Sequence, residues 1–107
     1  MEAVKAEDEF RWGVRAYNNG FFNKAILSFE RSLSYKPDDN RTKEWLGRAY
    51  YRSGFELAAL QLWESMLEAG YSDAVLSNFV DTLRFRRGFG REIQEDEQER
   101  YVIETEI

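Results

Sequence analysis

The sequence predicts an all-α protein, a solenoid of antiparallel helix pairs ending in a short strand or an extended tail, and three observations predict it. Shifting the chain against itself by 34 residues brings the dipeptide Gly-Phe onto itself at Gly20-Phe21, Gly54-Phe55 and Gly88-Phe89, and a fixed period of that size marks stacked structural repeats. In the same register Gly13 meets Gly47, Ala25 meets Ala59, Phe29 meets Trp63, Leu33 meets Leu67, and Tyr17 meets both Tyr51 and Phe85. Between these breakers the apolar residues recur three and four apart, which is helical rather than strand spacing. The stretch EWLGRAYYRSGFELAA, residues 44–59, carries the pattern most fully.

The first helix is expected from Ala3 to Asn19. Glu7, Asp8 and Glu9 stand in its early turns, where carboxylates suit the positive end of the helix dipole. Phe10, Val14 and Tyr17 form one stripe, and Trp12 with Ala16 a second. Asn19-Gly20 ends it, because both residues tolerate the left-handed conformation. The second helix, about Asn23 to Tyr35, carries Ala25, Ile26, Phe29 and Leu33. Pro37 stops it by driving Lys36 out of the helical region.

Asp38-Asp39-Asn40 supplies capping side chains for a third helix, which runs to about Ser53 and closes at Gly54. A fourth, roughly Glu56 to Ala69, holds Leu57, Leu60, Trp63 and Leu67, with Gly70 placed to end it. Ser72 and Asp73 cap a fifth from about Ala74 to Arg87, with Val75, Phe79, Val80, Leu83 and Phe85 as its apolar residues. Residues 91–100 are polar almost throughout, as a capping helix or a solvated linker would be. Tyr101 to Ile107 alternates, with Tyr101, Ile103 and Ile107 on one side, which is strand patterning. Read that way, the chain is a fragment whose next residues begin a β-rich domain; the alternative is a flexible C-terminus.

Composition narrows the function. At 107 residues the chain makes one modest domain, and 16% aromatic content means that rings fill much of its core. There is no histidine and no cysteine, which removes the usual zinc sites, thiol nucleophiles, Ser-His and Cys-His dyads and disulfides together. Carboxylate pairs such as Asp38-Asp39 and Asp96-Glu97 stand in turn or tail sequence with no companion nucleophile or metal spacing. No enzyme, no cofactor and no metal site is expected.

The net charge of −5 lies in the tail: residues 1–90 hold 13 basic and 13 acidic side chains, residues 91–107 two and seven. A neutral body argues against nucleic-acid binding, which needs a clustered positive field. The one basic cluster, Arg84, Arg86, Arg87 and Arg91, has the acids of Glu92 to Glu99 beside it. The longest apolar runs are a few residues, so no membrane partner is expected, and residues 1–10 do not read as a signal peptide. The expectation is a soluble chain, cytoplasmic by default; the compartment stays open, since a signal peptide already removed would leave the same residues.

Helix pairs of 34 residues with small residues where the helices cross resemble the tetratricopeptide repeat, or TPR. Leu46-Gly47, Tyr50, Gly54, Ala59 and Trp63 match the family pattern in the middle repeat. The first repeat matches through Gly13, Gly20, Ala25, Phe29 and Pro37, but has Trp12 for the leucine, Ala16 for the tyrosine and Ser32 for the later alanine. In the second, Tyr71 replaces the closing proline. A third is half present, with Gly88 matching and Asp81 at the glycine position. The resemblance spans residues 6–90 as repeats of about 6–39, 40–73 and a partial 74–90 within a helical domain of 3–90, and it implies a right-handed superhelix.

In that family the first helix of each pair lines a concave groove. The resemblance places there Glu7, Phe10, Arg11, Val14, Tyr17 and Asn18; Arg41, Glu44, Trp45, Arg48, Tyr51 and Arg52; and Val75, Asn78, Phe79, Thr82, Phe85 and Arg86. One subgroup grips chaperone C-terminal carboxylates with Lys, Asn and Arg; here those places hold Phe10, Val14, Trp45, Val75 and Phe79, so that clamp is not expected. The resemblance implies instead a protein-interaction scaffold. Its aromatic and aliphatic floor, edged by Arg41, Arg48, Arg52 and Arg86, suits a peptide segment with bulky apolar anchors and some acidic residues. The same rings also suit packing between helices. A structural or assembly module, docking on an adjacent β-rich domain or forming a homodimer, is the alternative function.

Overall fold

The computed structural model describes residues 2–71 and 73–86, and all of its regular structure is helical: α1 (Glu2–Asn18), α2 (Phe22–Tyr35), α3 (Asn40–Arg52), α4 (Glu56–Glu68) and α5 (Ala74–Arg86). The strand expected over 101–107, the capping helix or linker expected over 91–100, the Ser72 cap and the Arg87–Arg91 part of the basic cluster lie outside the described residues. Two units divide the chain, Met1–Ser72 with α1 to α4 and Asp73–Ile107 with α5. Among the described residues no helix is long and apolar enough to cross a membrane.

The turns explain the recurring Gly-Phe pair. α1, α3 and α4 end alike, with the glycine after each helix at positive φ: Gly20, Gly54 and Gly70. The amides of Phe21, Phe55 and Tyr71 each donate back five residues, to Ala16, Tyr50 and Met66, at 2.8 to 3.0 Å. The glycine amides donate back three residues, to Tyr17, Tyr51 and Leu67, at 3.0 Å. This double closure satisfies carbonyls that a helix end leaves open. At α3 the start is fixed as well: Asp39 accepts from the Arg41 amide at 3.2 Å and from the Thr42 hydroxyl at 2.8 Å. Asp73 does the same for α5, accepting from the Leu76 amide at 3.0 Å.

Within the first unit each helix packs on the next, α1 on α2, α2 on α3 and α3 on α4, an arrangement compatible with a helical repeat. α1 and α2 are antiparallel, because Ser32 late in α2 meets Ala6 early in α1 while Tyr17 late in α1 meets Phe22 early in α2. α1 and α3 run the same way: Glu7 meets Arg41 at one end and Tyr17 meets Arg52 at the other. Small residues permit the crossings. A Cβ on Gly13 would collide with the Phe29 ring, and one on Gly47 with the indole of Trp63. Ala25 and Ala59 are completely buried, and Phe29 and Trp63 lie in the interior beside them. The pairing of equivalent positions by the 34-residue register thus corresponds to the same close approach made twice.

The apolar pattern needs three corrections. In α4, Leu57 is exposed and Met66 takes an interior place with Ala59, Leu60 and Trp63, because that stripe sits around the helix from Leu57. In α5 the interior stripe is Leu76, Val80 and Leu83, at i, i+4 and i+7, so Val75, Phe79 and Phe85 fall off it and are exposed. In α1 Trp12 stands 58% exposed, with the Arg15 guanidinium 5.7 Å from its ring centre. The equivalent residue, Leu46, is buried where α3 meets the α2 side of the core.

Candidate protein-interaction face

The neighbouring, parallel α1 and α3 place most of the sequence-predicted groove residues on one face. Its backbone is a run of aromatic rings. Phe10 and Tyr17, two helical turns apart on α1, both meet Trp45 of α3 edge-on, at centroid distances of 6.4 and 5.3 Å. Phe29 of α2 packs beneath, 5.9 Å from Phe10 and 6.1 Å from Trp45. Edge-to-face pairs at such distances are favourable beyond the area they bury.

Burial divides these rings. Phe10 is only 8% exposed and belongs to the core, whereas Val14, Tyr17, Trp45 and Tyr51 are half-buried. Interior packing and a partly open surface therefore coexist on one stripe. An open depression runs along α1 beside it, lined by Phe10, Arg11, Val14, Arg15, Asn18 and Asn19.

Arginines cover the rings. The Arg41 guanidinium lies 3.8 Å from the centre of Phe10, Arg48 lies 5.3 Å from Trp45, and Arg52 lies 4.6 Å from Phe22 and 5.8 Å from Tyr17. Arg41 is also an ion-pair partner, 2.9 Å from Glu7 and 3.8 Å from Asp39. Glu7 reaches Arg11 as well, at 3.8 Å. Glu44 is engaged by the Tyr71 hydroxyl, which donates to it at 2.5 Å. Tyr71, standing where the family pattern closes with proline, thus ties the end of α4 back to α3.

Phe22 is the member of this face that sequence reasoning missed. It sits on α2, where no groove position was expected, yet its ring meets Tyr17 at 5.2 Å and lies under Arg52. Its signal in the sequence is its place directly after the recurring Gly20-Phe21 pair, at the start of α2; Phe21 itself is exposed. Val75, Phe79 and Arg86, the remaining predicted positions, are exposed on α5 of the second unit.

Among known proteins, the chain is similar to Superkiller protein 3 of Schizosaccharomyces pombe (strain 972 / ATCC 24843), with 32% identity over 85 residues. The matched stretch is 75% of this chain, which spans 6% of the length of that relative. No family model matches the chain, and no solved structure matches it. The five consecutive helices and this likeness to a TPR-containing protein fit a TPR-like repeat.

Proposed function

We propose that this chain is a protein-interaction module, a TPR-like right-handed solenoid of about two and a half repeats, which binds an apolar or aromatic peptide segment along the α1/α3 face. The observation that carries the reading is the open depression on α1: four of its six lining residues, Phe10, Arg11, Val14 and Asn18, are groove positions by the family resemblance. Half-buried Tyr17 and Trp45 beside it offer ring edges to a partner, and large aromatic side chains are the usual anchors of such contacts. The likeness to a TPR-containing protein supports the same class of function. The partner of this face is a protein or peptide rather than nucleic acid or a membrane.

The test selects short random displayed peptides on the immobilised chain, with Val14→Arg, which fills the depression, as the control. Peptides rich in bulky apolar residues are expected to be enriched on the wild type and to bind the variant at least several-fold more weakly. Equal binding to both, or no enrichment over a blank support, overturns the reading. Light scattering on the wild type guards the interpretation, since a dimer that dissociates on Val14→Arg would show the face consumed by self-association.

A further inference from the structure

The three arginines that α3 lays over the aromatic face differ in what neutralises them. Arg41 is held by Glu7 at 2.9 Å and Asp39 at 3.8 Å, above a phenyl ring that is already interior. That end of the face is closed, with its charge met and its ring covered. Arg48 and Arg52, one helical turn apart and both exposed, pair with no carboxylate among the described residues; their contacts are the rings of Trp45, Phe22 and Tyr17. Among the described residues, two guanidiniums without a carboxylate partner thus stand side by side over half-buried rings of the face.

We infer that Tyr17, Phe22, Trp45, Arg48 and Arg52 form an anion-gated subsite, which takes an acidic peptide segment carrying carboxylates next to a bulky apolar side chain. This rests on the reading of the face as peptide-binding and goes beyond it by naming where the segment is held and what charge it must carry. The gate follows from relative bond strengths. An exposed guanidinium over the outer side of a half-buried ring is held weakly, whereas a carboxylate engages it through two charge-assisted hydrogen bonds. An arriving carboxylate therefore draws Arg48 or Arg52 off its ring, and the uncovered ring accepts the apolar side chain. A purely apolar segment must push both guanidiniums aside with nothing to replace the lost contact. Side chains one turn apart on a helix have Cβ atoms about 5–6 Å apart, close to the roughly 6.6 Å between alternate side chains of an extended chain. Acidic residues at alternate positions of an extended segment fit the pair.

The experiment repeats the peptide selection on the full chain with Arg48→Gln/Arg52→Gln, after circular dichroism has verified its helicity. Wild type is expected to enrich peptides with a large apolar residue flanked by Asp or Glu, and the double variant to keep the apolar preference and lose the acidic one. The best acidic peptide, synthesised, should bind the variant about tenfold more weakly and lose affinity with added salt only on the wild type. Apolar enrichment without acids on the wild type overturns the gate and leaves the peptide reading standing. Acidic enrichment with no apolar residue overturns the gate too, since charge alone then explains it. No enrichment on either chain overturns both.

Discussion

Gly47 lies directly against the indole of Trp63, a residue that is only 2% exposed, and the two close the crossing of α3 and α4. Two effects oppose each other if alanine replaces the glycine. Helix propensity favours alanine by about 1 kcal/mol, whereas a Cβ would overlap ring atoms of an interior side chain with no room to withdraw, and overpacking costs roughly 1–3 kcal/mol. The second should win. Gly47→Ala is expected to lower stability by about 1–2 kcal/mol net in urea unfolding, and Trp63→Phe should cost less in the Gly47→Ala background than alone. Gly13→Ala against Phe29 repeats the test in the first repeat. A neutral or stabilising Gly47→Ala would show that the helices separate freely there.

That contact was legible in the sequence because it is periodic. Gly13 and Gly47 share a register, as do Phe29 and Trp63, and a small residue paired with a large ring at both places defines a packing rule rather than a coincidence. The stripes of α4 and α5 were less legible. Leu57, Val75 and Phe85 are as apolar as the Met66 and Leu76 that take the interior, and helical spacing alone admits both sets. Only the direction from which a neighbouring element approaches separates them. The candidate site shows a similar divide. Family positions named Tyr17, Trp45, Arg48 and Arg52, but Phe22 enters from a different helix, and no periodicity within α1 or α3 points to it. Nor does sequence reveal that, among the described residues, Arg41 meets carboxylates while Arg48 and Arg52 do not, since Glu7 lies 34 residues away from it.

Ser32 departs from the alanine of the family pattern, and its environment says why. Its hydroxyl donates to the Ala6 carbonyl at 2.7 Å, across the α1/α2 crossing, and the side chain is almost wholly buried. Ser32→Ala restores the family residue yet removes this bond. Because alanine fits the space and leaves no buried donor behind, the expected loss is about 1 kcal/mol, that of one net hydrogen bond. Urea unfolding of Ser32→Ala and Ser32→Cys checks it. An alanine variant as stable as the wild type would mean that the hydroxyl merely fills volume.

Tyr50 supplies a pH dependence of definite sign. Its hydroxyl donates to Glu30 at 3.0 Å, joining α3 to α2, and its pKa is pushed up to about 12, first by burial and then by the hydrogen bond to Glu30 and the charge of that carboxylate. In the unfolded chain the phenol titrates near 10. Between about pH 10 and pH 12 the unfolded state therefore binds fewer protons than the folded one, and stability falls as pH rises. The contribution is complete below about pH 10 and lost as pH rises through about 12. Because the side chain is only half-buried, solvent screening reduces its size to the order of 1 kcal/mol. Urea midpoints of wild type and Tyr50→Phe, taken at intervals from about pH 9 to about pH 12, isolate the effect from the other titrating groups. The stability difference between the two proteins should hold constant up to about pH 10 and then shift against the wild type. A difference that stays flat across the whole interval would mean that Glu30 and burial leave this phenol unperturbed.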